Sequence, residues 1–225
     1  SANGRTLSTF FRFWDKNKIS QFFVNNEIPN SKVCNSFYRI TDKDITASIF
    51  EAKDVGKQID NDFGEKKTVS KETKESFISK LKKYKKSFPS VLYILRNLLW
   101  NSQVYKNIKL SNWFDGVQPD LILLQPGDYS FLYKMARITA KRKNIPLVIY
   151  NSEDYYLKDR FSFSPFFYIQ RYNFKKEVKK TFNAANLIIY SNDLLEKNLQ
   201  KYFTSKSAVI LTSSEIISSN YNSIN

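Results

Sequence analysis

Four short, largely apolar runs separated by helical patterns constrain this fold more than any other feature. The runs cover residues 121–124, 147–150, 185–190 and 208–211. Each is too short for a helix and is bounded by turn-forming residues, which is typical of buried strands. Strands that alternate with helices pair in parallel through right-handed crossovers. The sequence therefore predicts an α/β fold with a Rossmann-like open parallel sheet and flanking helices.

Polar residues follow the first two runs, at the position where ligands bind in open α/β sheets. Gln125-Pro126-Gly127-Asp128 comes after the first run and Asn151-Ser152-Glu153-Asp154 after the second. We expect both stretches to be loops at the edge of a cleft. Asp128 also precedes a segment with helical periodicity, so it is predicted to cap that helix, and Ser191 is predicted to cap a later one.

The absence of histidine excludes whole classes of site. A His-based zinc site and a Ser-His-Asp triad both require this residue, and no metal site is predicted. Cys34 is the only cysteine, so an internal disulfide is excluded. No apolar run reaches the roughly 18 residues that a membrane-spanning helix needs, and no signal peptide is visible at the start.

The formal net charge of +15 is concentrated in two blocks, at residues 65–110 and 134–180. Such blocks point to an anionic partner, either phospholipid or nucleic acid, although a charge run is often only a solvated surface. Nucleic acid is not the expected partner, because the chain lacks a P-loop and the known nucleic-acid-binding motifs.

The first part of the chain gives weaker signals. Residues 19–24 have strand character, and Thr41 with Asp44 forms a capping box ahead of a short apolar stripe. Residues 52–72 are poor in apolar side chains and are predicted to be an insertion or a mobile surface loop outside the core. We expect a helical basic insertion over about 52–110.

Within that insertion, a lysine-rich amphipathic segment precedes Pro89 and an almost wholly apolar segment follows it. This combination is typical of an interfacial membrane element, but also of a charged outer helix followed by a buried one. The membrane reading assigns lipid contacts to Lys82, Lys83, Lys85, Lys86 and Trp100. Later in the chain, Phe161, Phe163, Phe166 and Phe167 suit base stacking or lipid insertion, although burial in the core is the commoner fate of such residues.

Several motifs together resemble the N-terminal domain of GT-B glycosyltransferases of family 4. They are PDLILL at 119–124, IPLVIYNSEDYY at 145–156, AANLIIYSND at 184–193 and AVILTSSEI at 208–216. The resemblance covers residues 119–216 well and residues 1–20 loosely, while residues 30–110 lie outside it. It implies one Rossmann-like N-terminal domain at 1–216, with 217–225 beginning a linker to a C-terminal domain.

In that family the N-terminal domain binds the acceptor, and the C-terminal domain holds most of the nucleotide-sugar donor. The resemblance thus implies a hexosyltransferase with a nucleotide-sugar substrate, no separate cofactor, and a saccharide or lipid-linked acceptor. The second domain carries the family's Glu-x7-Glu donor motif, so the present chain is not expected to transfer sugar alone. The expected location is cytoplasmic, on the inner face of the plasma membrane.

The resemblance also implies roles for individual residues. Asn3, Gly4 and Arg5 fall where the family's glycine-rich loop approaches the donor phosphates. The loop at 151–154 falls beside the reacting sugar, where the family often has a histidine. Glu153 or Asp154 would take that catalytic place here, although a solvent loop or a helix cap is an equally ordinary role for them. Acceptor-side contacts fall on Gln125, Asp128, Asn151 and Ser152.

Two other functions remain open at this stage. The same basic blocks and aromatic residues suit an α/β domain that binds nucleic acid. A partner domain that keeps the fold without the chemistry would also have this pattern. The sequence predicts neither the donor sugar, nor the stereochemical outcome, nor the oligomeric state.

Overall fold

The computed structural model describes residues 9–24, 34–51, 55–59, 89–104 and 107–211. Two groups of predicted site residues lie outside these ranges: Asn3, Gly4 and Arg5, and Lys82, Lys83, Lys85 and Lys86. Across the described ranges, no helix is both long enough and apolar enough to cross a bilayer.

Helices and strands alternate across residues 119–211, as the sequence predicts. The strands are β1 (Ser20–Phe23), β2 (Ser36–Arg39), β3 (Lys57–Ile59), β4 (Ile122–Leu124), β5 (Leu147–Asn151), β6 (Leu187–Tyr190) and β7 (Ser207–Val209). The helices are α1 (Asp42–Glu51), α2 (Pro89–Val104), α3 (Ile108–Val117), α4 (Ser130–Lys143), α5 (Pro165–Asn183) and α6 (Asp193–Leu199), with 3-10 turns at Lys16–Lys18 and Gln200–Tyr202.

The strands form two sheets. Strands β4, β5, β6 and β7 pair in that order and are all parallel, which confirms the α/β fold with an open parallel sheet. The other sheet has the order β1-β2-β3, with β1 parallel and β3 antiparallel to β2. All four predicted strands between 119 and 211 are confirmed, and so is the strand predicted at 19–24.

The helix ends follow local chemistry. Thr41 and Asp44 form the predicted capping box: the Asp44 amide donates to Thr41 Oγ1 at 3.3 Å, and the Thr41 amide donates to Asp44 Oδ2 at 2.7 Å. Helix α4 ends at Asn144, which adopts a left-handed conformation with φ 53°. The two predicted caps at Asp128 and Ser191 are wrong by one residue, because Tyr129 and Asn192 hold the cap positions.

Two apolar clusters meet at α4. One packs β4, β5 and β6 against α4 and α5, and it includes Tyr133 and Ala136. The other packs the first sheet against α2 and α3, and it includes Phe131 and Met135 from the opposite side of α4. Helix α4 therefore connects the cores of the two sheets.

Trp100 belongs to the second cluster, so its predicted membrane contact is wrong. Its side chain is 1% exposed and stacks on Phe131 with ring centroids 4.2 Å apart. The indole Nε1 donates to Asp42 Oδ1 at 2.7 Å, which satisfies its hydrogen-bonding group inside the protein. The alternative that α2 buries a face in the core is confirmed, although Leu95 and Leu98 on the same helix are exposed.

Residues 55–59 were predicted to lie outside the core, and this prediction is wrong. Val55 is 3% exposed, and β3 pairs with β2 immediately after it. Its carbonyl oxygen accepts hydrogen bonds from the Tyr38 hydroxyl, at 3.1 Å, and from Asn107 Nδ2. The turn between Val55 and strand β3 depends on Gly56, whose φ of +87° lies in a region that residues with a Cβ atom disfavour.

Replacing Gly56 by alanine should therefore destabilise the fold. A Cβ there would lie 2.5 Å from Ile40 Cγ1 and 2.6 Å from the Arg39 carbonyl oxygen. We expect Gly56→Ala to lower the free energy of unfolding by at least ~2 kcal/mol in urea denaturation. Gly116→Ala is the control, since its Cβ would meet nothing within 4 Å on helix α3, and it should be stabilising by ~0.5–1 kcal/mol. Equal effects of the two substitutions would contradict this account.

Candidate functional site

The carboxyl ends of β4, β5 and β6 lie at one edge of the parallel sheet, as parallel pairing requires. The polar stretch 125–128 follows β4, residues 152–154 follow β5, and Ser191 follows β6. The structure thus brings the two predicted loops to the same edge. We call this group, residues 125–128 with 151–155 and Ser191, the carboxyl edge.

Hydrogen bonds hold the loops of the carboxyl edge in place. The Ser191 amide donates to the Asn151 carbonyl at 3.2 Å, and the Ser191 hydroxyl donates to the Ser152 carbonyl at 3.3 Å. On the other side, Tyr133 donates its hydroxyl to the Gly127 carbonyl at 2.9 Å, and Tyr93 donates to the Asp128 carbonyl. Side chains from α2 and α4 therefore position the loop after β4.

Two side-chain amide nitrogens at adjacent strand ends are buried without a partner among the described residues. Asn151 was predicted to lie in a loop, but it ends strand β5 and is 2% exposed. Its Nδ2 and the Nε2 of Gln125 are buried and have no hydrogen-bond partner within the described ranges. The register that pairs Leu124 with Ile149 places Gln125 one residue beyond that pair and Asn151 two residues beyond it. An unsatisfied buried donor costs roughly 1–3 kcal/mol, and a ligand oxygen that reached these nitrogens would offset that cost.

Two carboxylates of the carboxyl edge lie near Tyr155. Burial, then the charge of Glu153 and a hydrogen bond to its side chain, and then the charge of Asp128 raise the pKa of Tyr155 to about 12. The charge of Asp128 also contributes, after burial, to the raised pKa of Tyr133. The loops after β4 and β5 therefore place Asp128 and Glu153 near Tyr155, and Asp128 also lies near Tyr133. Both carboxylate residues are exposed, whereas Tyr133 is buried.

The two candidate catalytic residues differ in their surroundings. Asp154 Oδ1 accepts a hydrogen bond from the Leu157 amide at 2.7 Å and so holds the turn after β5. Glu153 has an exposed side chain whose contact is the Tyr155 hydroxyl. Of the two, Glu153 is the carboxylate open to a ligand.

The segment that follows the predicted phosphate-binding residues packs beside the carboxyl edge. Phe10 meets Tyr150 edge-to-face with ring centroids 4.6 Å apart, and Tyr150 directly precedes Asn151. Asn3, Gly4 and Arg5 themselves lie outside the described residues.

A cavity of about 850 Å³ lies at the opposite end of the sheet, lined by Arg137, Lys141 and Lys180 among others. Helices α4 and α5 both end there, and helix C-termini carry partial negative charge. Basic side chains offset that charge, and Arg137 and Lys180 also pair with Glu177. The cavity therefore has an ordinary structural account, and the carboxyl edge is the candidate site.

The tyrosines of the site were not predicted from the sequence. Tyr93 and Tyr133 lie on helices, and nothing in their spacing separates them from other core aromatic residues. Tyr155 follows Glu153 by two residues, which was a usable signal, since a phenol so close to a carboxylate can donate a hydrogen bond to it.

Asn151→Leu should stabilise the protein, because it replaces a buried amide that lacks a partner by an apolar side chain of similar volume. We expect the free energy of unfolding to rise by ~1 kcal/mol in chemical denaturation. Asn107→Leu is the matched control: Asn107 is also buried, but its Oδ1 accepts from the Leu110 amide at 3.0 Å and its Nδ2 donates to Val55. The control should lose ~2 kcal/mol or more. A comparable loss in Asn151→Leu would show that its amide is satisfied.

Glu153→Gln should lower the pKa of Tyr155, because the charge of Glu153 is, after burial, the second cause that raises this pKa. The pKa should fall below about 12 but stay above 10, since burial persists. A folded-state pKa above the unfolded value stabilises the protein below pH 10, and this contribution disappears as the pH rises through about 12. Titration of the Tyr155 ¹³Cζ resonance measures the shift. Asp154→Asn should leave it in place, and an unchanged titration in Glu153→Gln would contradict the pairing.

Comparison with known proteins adds no relative to this picture. No protein-family model, no curated protein and no solved structure matches the chain. The function of the carboxyl edge is accordingly argued from its own residues.

Proposed function

We propose that this chain is the acceptor-binding N-terminal domain of a GT-B glycosyltransferase resembling family 4. The complete enzyme would move a sugar from a nucleotide-sugar donor to a saccharide or lipid-linked acceptor at a membrane surface. The observation that carries the proposal is the buried Nδ2 of Asn151, which has no partner among the described residues, at the carboxyl end of β5 and two residues before the exposed Glu153.

A sugar hydroxyl complements this pair of groups. Its oxygen accepts a hydrogen bond, as the amide nitrogen requires, and its proton is donated, as a carboxylate requires. A site with buried polar groups discriminates strongly against molecules that leave those groups unpaired. Asn151 and Gln125 would thus select a hydroxyl-rich ligand, and Asp128 and Ser152 would border it.

Glu153 is our candidate for the base that activates the acceptor. The acceptor oxygen forms a bond to the anomeric carbon of the donor while the bond from that carbon to the diphosphate breaks. The hydroxyl proton passes to the carboxylate of Glu153, and the diphosphate leaves as an anion. The hydrogen bond from Leu157 to Asp154 supports a positioning role for Asp154, which holds the turn that presents Glu153.

The donor side of the proposal rests on the resemblance, which assigns the nucleotide sugar mainly to a second domain. Backbone amides at Asn3 and Gly4 and the Arg5 guanidinium would stabilise the diphosphate. The contact between Phe10 and Tyr150 supports this assignment, because it keeps the chain after Arg5 close to β5.

The proposal predicts that the chain binds saccharides through the carboxyl edge. On an array of hexose-containing oligosaccharides we expect selective binding. Asn151→Leu should reduce the affinity at least tenfold, because it removes the hydrogen bond from the Asn151 amide to a sugar hydroxyl. UDP-glucose, used as the donor probe, should bind more weakly than the selected glycan. Asn192→Ala, which removes a helix cap at the neighbouring strand end, is the control for local stability.

Two outcomes would overturn the proposal. Binding of RNA or DNA with a steep salt dependence, without glycan binding, would favour the nucleic-acid function. Glycan binding that persists unchanged in Asn151→Leu would place the ligand elsewhere on the chain.

A further inference from the structure

The loop before α5 and the first turns of that helix carry a group of exposed aromatic and aliphatic side chains. Phe161 is 76% exposed and Phe163 is 94% exposed, contrary to the expectation that these residues lie in the core. We call the whole group the aromatic surface; it comprises Phe161, Phe163, Phe166, Tyr168, Ile169 and Tyr172. Phe167, in contrast, is buried. Contiguous exposed apolar groups of this size mark binding surfaces for proteins or membranes.

The aromatic surface stands on a loop that is tied to α5. Arg171 donates from Nε to Asp159 Oδ1 at 2.7 Å, and its terminal nitrogens donate to the carbonyls of Tyr155 and Tyr156 at 2.9 and 2.7 Å. The Ser164 amide donates to Ser162 Oγ at 3.2 Å. The exposure of Phe161 and Phe163 is therefore a property of a fixed loop.

Positive charge surrounds this surface. The stretch 156–183 contains seven Lys and Arg residues and two acidic residues. Both acidic residues are already paired, Asp159 with Arg171 and Lys175, and Glu177 with Arg137 and Lys180. The partner of this surface should therefore be anionic as well as apolar.

We propose that the aromatic surface docks on an anionic lipid bilayer. Apolar side chains occupy the loop and the first two turns of α5, whereas Lys176, Lys179 and Lys180 occupy its second half. Lys176 Nζ lies 5.9 Å from the centre of the Tyr172 ring, so positive charge borders the aromatic surface directly. Aromatic groups at one level and lysines at the next match the acyl boundary and the headgroups of an anionic membrane.

Charge argues against the other occupants. A second copy of this chain would bring together two surfaces that both carry net positive charge, which opposes their association. A nucleic acid would stack its bases on exposed ring faces, but Phe161 packs edge-to-face on Phe163 with ring centroids 4.9 Å apart, and Lys176 lies over the Tyr172 ring at 5.9 Å. The inference does not depend on the proposed sugar transfer. It assigns a membrane contact to α5 and the loop before it, whereas the lysines predicted to contact lipid at 82–86 lie outside the described residues.

Co-sedimentation with vesicles tests the proposal. We expect the chain to bind phosphatidylcholine vesicles that contain phosphatidylglycerol, and to bind pure phosphatidylcholine weakly. The double variant Phe161→Ser with Phe163→Ser should reduce binding roughly tenfold or more, because two apolar insertions are lost. Lys176→Glu with Lys179→Glu should reduce binding in a manner that depends on salt.

Phe13→Ser is the matched control, because Phe13 is 87% exposed outside the aromatic surface. It should leave vesicle binding unchanged, and unfolding curves should show that every variant is folded. The proposal would be overturned if the chain failed to bind anionic vesicles at low salt, or if the Phe161/Phe163 variant bound them equally well. It would also be overturned if the chain bound RNA but not vesicles, or if it formed a dimer that the same variant dissociated. Glycan binding, measured separately, should survive these changes, so failure here and failure of the proposed function are distinguishable.

Discussion

Helix α4 must bury two faces at once, and the arrangement of the whole molecule depends on this. Phe131 and Met135, one turn apart, pack with Trp100 against the first sheet. Tyr133 and Ala136 face the parallel sheet and α5. Because packed cores tolerate little displacement, one helix fixes the position of each sheet relative to the other. The hydroxyl of Tyr133 also holds the Gly127 carbonyl, so the same packing sets the loop after β4. The candidate site thus inherits its geometry from the core.

Stability and binding make opposite demands at the end of β5. The strand is apolar until its last residue, where Asn151 is as buried as its neighbours but carries an amide that lacks a partner among the described residues. Asn107 shows that this chain can satisfy a buried amide fully, with a helix amide on one side and a carbonyl on the other. A fold that satisfies one buried asparagine and leaves another with an unpaired donor has the pattern expected of a binding site, where stability is given up for function.

Residue periodicity was sufficient to predict the parallel sheet, because its strands are short apolar runs with clear turns on both sides. It failed where structure depends on distant partners. Strand β3 has the sequence Lys57-Gln58-Ile59, which shows no strand pattern; its pairing follows from the positive φ of Gly56 and the contacts of Val55. The burial of Trp100 and the exposure of Phe163 could not be predicted either, since both residues are large and aromatic. Trp100 is buried because it stacks on Phe131 and donates a hydrogen bond to Asp42. Phe163 is exposed because it lies in the loop that Arg171 holds through its hydrogen bond to the Tyr155 carbonyl.

The loop between β5 and α5 carries part of the carboxyl edge and part of the aromatic surface, and this links the two proposals physically. Eight residues separate Glu153 from Phe161, so their Cα atoms lie at most roughly 28 Å apart even in extended chain. Arg171 binds the carbonyls of Tyr155 and Tyr156, which prevents the loop from tilting independently of α5. A bilayer that holds the aromatic surface would therefore set the height and orientation of Glu153 above the headgroups. An acceptor presented on a lipid would meet the carboxylate at that height, whereas a free saccharide would gain nothing from the docking. Membrane docking would then fix the position of Glu153 and, through it, favour a lipid-linked acceptor over a free one.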